Sequence, residues 1–343
     1  MVNFSSDKVV NLDYSDKKRA EIIEKLKKVD FDILIIGGGI TGAGVARDAV
    51  FRGLNVALVE KDDFAEGTSS RSTKMFHGGL RYLKDYEMKL VKESTMERNW
   101  ARDVALPHNV RPIQFIVPVF GERKDPKTGN IIPASSNDME TIKIALDMYD
   151  GLCNHQNYKP WQIIEDPKKV AEIEPELNIN SLIGAGLYYD TNMDDARIVV
   201  ETIKECVASG KCTALNYLKV IDFIKNEKGI INGVKVVEND KFLPDLKTEP
   251  FIIHANVVVN CTGIWADEVL ENTGKDKIIS PTKGIHFIVK KDDFNIKHAV
   301  GMSIIEDHRF TFVIPRENWI LIGTSDTFYD ENFDSPVAIS SGK

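Results

Sequence analysis

The sequence predicts an α/β protein made of two interleaved parts, one on a parallel sheet and one on a mostly antiparallel sheet. Residues 31–60 run from a short apolar stretch through a helical pattern to a second apolar stretch, the β-α-β order of a parallel sheet. Residues 251–260 have the pattern of a buried strand, which we expect to join that sheet. Residues 281–327 contain three or four strand-like runs without a helical pattern between them.

Length and composition are those of a globular chain large enough for two domains. The chain has 343 residues, of which 43% are hydrophobic and 28% charged. Its formal net charge of -8 argues against a nucleic-acid-binding surface. A local basic pocket for a phosphorylated ligand remains compatible with that charge.

Cysteine spacing and the N-terminal sequence bear on metals and location. The four cysteines, Cys153, Cys206, Cys212 and Cys261, lack C-x-x-C spacing, so neither a zinc site nor a redox pair is predicted. No apolar run reaches the roughly eighteen residues that span a bilayer, and the acidic N-terminal stretch lacks a signal-peptide core. We interpret the chain as cytoplasmic and leave peripheral membrane contact and homodimer formation open.

Periodicity and turn residues define the predicted elements in chain order. Predicted helices cover residues 15–29, 40–52, 84–104, 141–152, 167–173 and 198–208. Predicted strands cover 31–36, 55–60, 113–119, 182–189, 213–224, 231–238, 251–260, 310–315 and 319–324, the last two forming a hairpin. The polar stretches 121–138 and 240–250 are predicted to be loops. The charged first helix is expected to pack on the outside of the first domain.

Prolines and acids mark several helix boundaries. Pro107 closes the helix that starts near residue 84, and Pro167 opens the helix at 167–173. Asp194 and Asp195 precede the helix at 198–208, where carboxylates cap N–H groups and complement the helix dipole. We therefore favour a structural role for both acids over a catalytic one.

The turn after the first strand has the spacing of a dinucleotide-binding loop. Gly37, Gly39 and Gly42 form G-x-G-x-x-G, in which the first glycine permits the bend, the second lets backbone approach a pyrophosphate and the third allows close helix–strand packing. The helix N-terminus presents N–H groups to that pyrophosphate. Glu60 ends the second strand, where a carboxylate accepts ribose hydroxyls and disfavours a 2′-phosphate. We therefore expect an ADP moiety, from either NAD or FAD.

A dense run of hydroxyl side chains at 67–74 distinguishes the two dinucleotides. Small donors directly after the Glu60 strand can bind a second phosphate and a ribityl chain, which favours a flavin dinucleotide. The alternative is a Ser/Thr-rich helix cap. Thr262 and Gly263, at the end of the strand 251–260, lie where backbone can approach the same cofactor.

Several motifs together resemble the FAD-dependent glycerol-3-phosphate dehydrogenases and the related α-glycerophosphate oxidases. The resemblance starts with GGGITGAGVARDA, VEKDDFAEGTSSRSTK and HGGLRYL. It continues with GLYYDTNMDDARIVV, VVVNCTGIWADEV, SPTKGIHFIV and FVIPRENWILIGTSDT. It covers nearly all of the chain from residue 31 onward.

The resemblance implies a fold and a domain division. The implied fold is a Rossmann-like FAD-binding domain of the glutathione-reductase or D-amino-acid-oxidase type, with an interleaved α+β substrate domain on a mostly antiparallel sheet. An extension with a short helix occupies 1–30. The FAD-binding domain would comprise 31–107 and 191–275, and the substrate domain 108–190 and 276–343.

The resemblance also implies a reaction and site residues. The substrate would be sn-glycerol 3-phosphate, oxidised to dihydroxyacetone phosphate. Electrons would pass to quinone in a dehydrogenase or to oxygen in an oxidase. The segment FAEGTSSRSTK and the charged N-terminal helix slightly favour the oxidase. The cofactor is FAD, with backbone near Val220 at the adenine. The residues assigned to FAD are Gly37, Gly39, Ile40, Thr41, Gly42, Glu60, Thr68, Ser69, Ser72, Thr73, Lys74, His77, Val220, Thr262 and Gly263.

Four residues are assigned to the substrate. Arg81 matches the family's phosphate-binding arginine, because guanidinium binds phosphate oxygens bidentately; the alternative is a surface arginine in a salt bridge. Tyr82 lines the same pocket or belongs to the core, and Lys283 is expected to help neutralise the phosphate. An imidazole has a suitable pKa for taking the alcohol proton; His286 is the candidate base, whereas His77 is expected to pack against the flavin.

The sequence departs from the family pattern after Asp326. The family continues with an S-G-x-R-P motif and a G-G-K-x-T motif, and neither occurs before Lys343. The alternative hypothesis is therefore a non-catalytic or partner-dependent FAD-binding fragment. An amine oxidase on the same fold is a third hypothesis, which HGGLRYL and DDAR disfavour.

Overall fold

A computed structural model describes most of the chain and divides it into two compact units. The described residues are 16–124, 128–133, 138–239, 249–271, 273–274, 276–303 and 310–329. Unit 1 consists of the described parts of Met1–Ser72, Asp195–Pro281 and Tyr329–Lys343, and unit 2 of those of Thr73–Asp194 and Thr282–Phe328.

The described residues contain seven α-helices and seventeen strands. The helices are α1 (Asp16–Lys28), α2 (Ile40–Phe51), α3 (Met88–Trp100), α4 (Met139–Leu152), α5 (Pro167–Ile173), α6 (Asp195–Ala208) and α7 (Ala266–Glu271). The strands are β1 (Phe31–Ile36), β2 (Val56–Val59), β3 (Val110–Phe120), β4 (Glu122–Lys124), β5 (Ile131–Pro133), β6 (Gln162–Ile164), β7 (Leu182–Met193), β8 (Cys212–Leu215), β9 (Leu218–Lys225), β10 (Ile231–Glu238), β11 (Phe251–Asn260), β12 (Thr282–Lys283), β13 (His286–Lys290), β14 (Ala299–Ser303), β15 (Phe310–Pro315), β16 (Trp319–Gly323) and β17 (Thr327–Phe328). No helix in these ranges combines the length and apolar character needed to cross a membrane.

Unit 1 is built on a six-stranded sheet in the order β8-β2-β1-β11-β10-β9. The first four strands pair in parallel, so β11 does join the β-α-β sheet as its buried-strand pattern predicts. The β9, β10 and β11 strands form an antiparallel meander. The predicted parallel sheet is therefore confirmed.

Both faces of this sheet are covered. On one face α2 and α6 pack through small and branched side chains such as Ala43, Ala46 and Ile203. On the other, Leu26 of α1 is fully buried in a cluster with Leu34 and Ile253. The predicted N-terminal helix is thus part of the core of unit 1 through its apolar face.

Unit 2 is built on a seven-stranded sheet in the order β13-β16-β15-β14-β3-β7-β6. All its pairs are antiparallel except β14 with β3, which confirms the predicted mostly antiparallel sheet and the β15–β16 hairpin. Phe115, Tyr149 and Tyr188 lie in its main core, with the rings of Phe115 and Tyr188 stacked at 5.2 Å.

Three local predictions differ from the structure. The single strand predicted at 213–224 is two strands, because Tyr217 adopts φ +52° and the chain turns there between β8 and β9. The helix predicted at 84–104 begins at Met88 and ends in a π-helical turn at Ala101–Ala105. The loop predicted at 121–138 contains the short β4–β5 hairpin, and its residues 125–127 and 134–137 lie outside the described residues.

The division into units also differs from the predicted domain boundary at residue 107. Residues 73–107 group with unit 2, because Met75 bridges to Asn192 and α3 packs against α4. The second half of the predicted FAD-binding segment, 191–275, agrees with unit 1 to within a few residues at either end.

Candidate functional site

A cleft of about 670 Å³ lies in unit 1 at the carboxyl ends of β1, β2 and β11. This is where open α/β sheets bind nucleotides, and the volume is within the roughly 300–1,000 Å³ of cofactor pockets. Ten residues predicted to contact a cofactor line it: Gly37, Gly39, Ile40, Thr41, Glu60, Thr68, Ser69, Val220, Thr262 and Gly263.

The three glycines of the turn are required for different reasons. Gly37 has φ +110°, and a Cβ there would lie 2.4 Å from the carbonyl oxygen of Cys261. A Cβ at Gly42 would lie 1.9 Å from the carbonyl oxygen of Gly37, so this glycine lets α2 approach β1. A Cβ at Gly39 would meet the Ser69 hydroxyl at 3.1 Å. Gly37 and Gly39 line the cleft, so part of its surface is bare backbone.

Ser69 and Glu60 order the N-terminal end of α2. The Ile40 amide donates to Ser69 Oγ at 2.9 Å, and the Gly38 amide donates to Glu60 Oε2 at 2.6 Å. Burial raises the pKa of Glu60, opposed by the hydrogen bonds from the amides of Asp62 and Gly38. An ionised carboxylate has about four acceptor positions, so Glu60 keeps capacity for ribose hydroxyls.

The charges around the cleft are mainly negative. Four carboxylates and two ammonium groups line it: Glu60, Asp62, Glu66, Glu268, Lys61 and Lys219. This balance is unfavourable for an additional phosphate on the ribose, since like charges repel. The cleft therefore fits the ADP half of a dinucleotide better than a 2′-phosphorylated one.

Sequence reasoning missed some residues of the cleft. Lys61 lies 4.0 Å above the ring centroid of Trp265, and both residues line the cleft. The ring of Trp265 also packs against Gly67, where an added Cβ would lie 3.0 Å from the ring. The sequence signal that could have found them is their position, since Lys61 directly follows Glu60 and Trp265 lies two residues after Gly263.

The hydroxyl run at 67–74 is divided between the two units. Thr68 and Ser69 line the cleft, whereas Ser72 donates its hydroxyl to Asp195 Oδ2 at 2.8 Å. Thr73, Lys74 and His77 belong to unit 2. Within the described ranges, the lining of the cleft does not include Ser72, Thr73, Lys74 or His77. Their assignment to the cofactor stays a prediction.

Unit 2 contains a second, much smaller cavity of about 90 Å³. Its polar lining includes Thr73, His77, Arg81 and Asp190, and its apolar lining includes Tyr188, Phe310 and Phe312. A space of this size excludes a dinucleotide. The cavity thus brings together Arg81, which was predicted to bind the substrate, and His77, which was predicted to pack against the flavin.

A buried polar network holds Asp190 at this cavity. Arg98 donates to Asp190 Oδ1 at 3.2 Å and to the Tyr149 hydroxyl at 3.0 Å, and Tyr149 in turn donates to Asp190 Oδ2 at 2.8 Å. Arg98, Tyr149 and Asp190 are only 1%, 1% and 3% exposed. Burial disfavours the charge of Arg98, but Asp190 and Tyr149 raise its pKa overall. The network escaped sequence reasoning because no local pattern marks it.

The network shapes the turn that carries His77 and Arg81. The Gly78 amide donates to Asp190 Oδ1 at 3.3 Å, and a Cβ at Gly78 would lie 2.3 Å from the Tyr149 hydroxyl. Gly79 follows with φ +78°, a conformation that favours glycine. The network therefore explains the glycine at position 78, and the backbone conformation explains the one at position 79.

The electrostatics favour a neutral His77. Burial lowers its pKa, and the charges of Arg81 and Arg98 lower it further, while Asp190 raises it. Arg81 itself is exposed, and its guanidinium donates to the Tyr82 hydroxyl at 3.0 Å. Of the two predicted substrate residues, Arg81 lines the cavity, whereas Tyr82 is not in its lining and packs against the core of unit 2.

His286 adjoins the small cavity through Thr73, and Lys283 lies on β12. The Nε2 atom of His286 is 3.1 Å from Thr73 Oγ1, and burial together with the charge of Lys74 lowers its pKa. Lys283 pairs with Thr327 in the β12–β17 ladder. Neither His286 nor Lys283 is among the described residues that line the small cavity. Across the described ranges, no three His, Cys, Asp or Glu side chains are grouped to hold a metal ion.

Comparisons with known proteins give relatives that match nearly all of this chain. The chain is 38% identical to the α-glycerophosphate oxidase of Enterococcus casseliflavus over 94% of its length and 51% of that protein, and 38% identical to that of Streptococcus pneumoniae over 95% and 51%. A solved glycerol-3-phosphate dehydrogenase from Bacillus halodurans, complexed with FAD, superposes with a TM-score of 0.69 at 34% identity, covering 93% of this chain and 52% of that one. The chain thus spans about half the length of the curated relatives it matches.

A more distant solved structure shares the fold. The L-proline dehydrogenase of P. horikoshii superposes with a TM-score of 0.60 at 20% identity, over 90% of this chain and 73% of that one. The profile of the family described as "FAD dependent oxidoreductase" matches residues 32–341, which includes the glycine turn, the Glu60 strand and both cavities. On this match, and with a cleft whose bare backbone and acidic wall fit an FAD nucleotide, the chain belongs to the FAD dependent oxidoreductase family.

Proposed function

We propose that the chain forms the nucleotide site and part of the substrate site of an enzyme that oxidises sn-glycerol 3-phosphate to dihydroxyacetone phosphate. The observation that carries the proposal is the placement of His77 and Arg81 in one small cavity of unit 2. One group is suited to a hydroxyl proton and the other to a phosphate. The relatives named α-glycerophosphate oxidase support the substrate class.

The cofactor contacts follow from the cleft of unit 1. The turn before α2 and the hydroxyl residues Thr68 and Ser69 line the part of the cleft proposed for the pyrophosphate, where a phosphate oxygen would replace Ser69 Oγ as the acceptor of the Ile40 amide. Glu60 is proposed to accept hydrogen bonds from a ribose. When bound there, FAD would supply the hydride acceptor that oxidation of a secondary alcohol needs. At the glycine turn the proposed contacts to FAD come from the backbone and not from side chains.

His77 and Arg81 perform the remaining chemistry in the proposal. Because burial keeps the His77 imidazole neutral, its free nitrogen takes the hydroxyl proton as the carbon–oxygen double bond forms. The exposed guanidinium of Arg81 pairs with the phosphate at the cavity edge. The sequence favoured His286 as the base; we assign this role to His77 because it shares the cavity with Arg81. The walls of Phe310 and Phe312 limit water at the reacting carbon.

The electron acceptor in the proposal is oxygen, with quinone as the second candidate. The matched relatives from Enterococcus casseliflavus and Streptococcus pneumoniae are named oxidases, whereas the Bacillus halodurans structure is named a dehydrogenase. Hydrogen peroxide released per dihydroxyacetone phosphate formed in air identifies an oxidase. Turnover that needs an added quinone identifies a dehydrogenase.

The central experiment is anaerobic reduction of the FAD-loaded chain. Adding sn-glycerol 3-phosphate should bleach the flavin absorbance and produce one dihydroxyacetone phosphate per flavin, while glycerol should act far more slowly because it lacks the phosphate. FAD binding without bleaching contradicts catalysis by this chain and supports the alternative of a non-catalytic or partner-dependent FAD-binding protein. Bleaching by glycine or sarcosine would instead indicate an amine oxidase.

Arg81→Ala tests the phosphate assignment. Losing hydrogen bonds to a charged ligand costs about 1.5–3 kcal/mol, so KM for glycerol 3-phosphate should rise about 10- to 150-fold. The FAD content should not change, since Arg81 lies outside the nucleotide cleft of unit 1. Arg111→Ala, at another exposed arginine of unit 2, is the matched control. An unchanged KM in Arg81→Ala removes this residue from the site.

A further inference from the structure

We infer that the N-terminal helix α1 is a positioning element for the nucleotide cleft and that it acts through Arg19. The inference concerns FAD binding in unit 1 and rests on that part of the proposed function alone. It does not depend on the identity of the substrate. Both ends of the connection lie within unit 1.

Arg19 reaches from α1 to the turn between β8 and β9. Its Nη1 and Nη2 atoms donate to the carbonyl oxygens of Asn216 and Tyr217 at 3.0 and 3.3 Å. Its Nε donates to Glu238 Oε1 at 2.8 Å. The arginine is 8% exposed and Glu238 is 4% exposed, so this is a buried, charged clamp rather than a surface contact.

The clamped turn leads directly into the wall of the cleft. Tyr217 has φ +52°, so its conformation is one that an L-residue adopts only with support from its surroundings. The next amide, of Leu218, donates to the carbonyl oxygen of Glu60 at 2.7 Å. Leu218 and Val220 then line the cleft next to the strand end that carries Glu60. A shift of the turn would therefore move both Val220 and Glu60.

Further hydrogen bonds join the turn between β8 and β9 to the segment that follows Glu60. The Tyr217 amide donates to the Asp62 carbonyl at 3.0 Å, and Asn216 Nδ2 donates to Asp63 Oδ1 at 2.8 Å. Asn239, which follows Glu238, donates its side-chain amide to the Lys61 carbonyl. The 60–63 segment and the 216–218 turn are thus joined, and Arg19 supports this pair from the side of α1.

Arg19 serves its three acceptors from three different nitrogen atoms, whereas all the donors of a lysine lie on one nitrogen. Arginine offers five donors in a planar fork, whereas lysine offers a single point charge. Arg19→Lys keeps a positive charge for Glu238 but cannot span Glu238 and both carbonyl oxygens. Arg19→Met combined with Glu238→Leu removes the clamp without leaving a buried charge, a replacement that proteins often tolerate.

The experiment measures FAD affinity by calorimetry and the melting temperature with and without FAD. For both Arg19→Lys and Arg19→Met/Glu238→Leu, we expect the Kd for FAD to rise about tenfold, which is about 1.4 kcal/mol. The shift in melting temperature that FAD produces should shrink accordingly, because ligand stabilisation depends on the ratio of ligand concentration to Kd. Lys18→Met, at an exposed position of the same helix, is the matched control and should bind FAD as the wild type does.

The outcomes separate positioning from general stabilisation. If both Arg19 variants melt at lower temperature but keep the wild-type Kd and the wild-type shift on adding FAD, α1 only stabilises the fold and the inference is wrong. If the wild type itself does not bind FAD, the proposed function fails instead. Weaker FAD binding in the two Arg19 variants, with Lys18→Met unchanged, supports the inference whether or not glycerol 3-phosphate is a substrate.

Discussion

The nucleotide cleft of unit 1 and the small cavity of unit 2 are built in opposite ways. The cleft is formed by backbone at strand ends, where Gly37, Gly42 and Glu60 lie within 24 positions of one another in the sequence. The cavity rests on side chains such as Arg98 and Asp190, which are 92 positions apart and almost fully buried. A backbone site is sensitive to added atoms, and a side-chain site is sensitive to atoms removed. Substitutions should therefore act differently on the two.

The largest effect should come from removing a charge of the buried network in unit 2. Arg98→Met leaves Asp190 buried without its ion-pair partner, which typically costs about 3–5 kcal/mol of unfolding free energy. Chemical denaturation measures this loss. Arg52→Met, in an exposed ion pair with Asp48, serves as the control and should show no resolvable change. Equal stabilities of the two variants would mean that the cavity does not depend on this network.

Adding one methyl group should test the cleft of unit 1. In Gly42→Ala the new Cβ would lie 1.9 Å from the carbonyl oxygen of Gly37, and such overpacking costs about 1–3 kcal/mol. FAD binding should weaken as well, because the turn must move. Gly44→Ala, on the same helix with no atom within 4 Å, should instead stabilise by about 0.5–1 kcal/mol. Denaturation and FAD titration of this matched pair measure both effects; a tolerated Gly42→Ala argues against the backbone interpretation of the cleft.

The smallest effect concerns the pH dependence contributed by His77. Its pKa in the folded protein is below the ordinary 6.5, so the unfolded chain binds the proton more readily. The stability from this group is fully present above pH 6.5 and is lost as the pH falls from 6.5 through the lower, folded pKa. His77→Gln should make the fall in unfolding free energy between pH 7.5 and 5.5 shallower. The pKa of His286 is also lowered, so His286→Gln measures in the same way how much this second histidine contributes to the pH dependence of stability.

The same pH range tests the proposed base. If His77 takes the proton, the acid limb of kcat/KM lies below pH 6.5, because only the neutral imidazole is active. His77→Gln should remove most of the activity together with this limb. A limb that persists in His77→Gln and disappears in His286→Gln would move the role back to His286, as the sequence alone suggested.

Much of unit 1 could be predicted because its signals are local. The glycine turn, the strand before it and Glu60 after it are fixed by steric demands within about thirty residues, and the structure places them in one cleft. The break at Tyr217 was missed because an apolar run on both sides of a turn has the same pattern as a single strand. The division of the hydroxyl run between Ser72 and Thr73 was missed because one continuous motif gives no sign of a boundary.

By itself, the sequence determined the β-α-β unit, the glycine turn, the acidic strand end and the family to which the chain belongs. Only the tertiary structure decided that Arg98, Tyr149 and Asp190 form the support beneath His77, and that Arg19 holds the turn next to the nucleotide cleft. The physical reason is that glycine turns and strand patterns are conditions on neighbouring residues. A buried charge, by contrast, is stable only beside a partner, and the fold alone determines which distant residue becomes that partner.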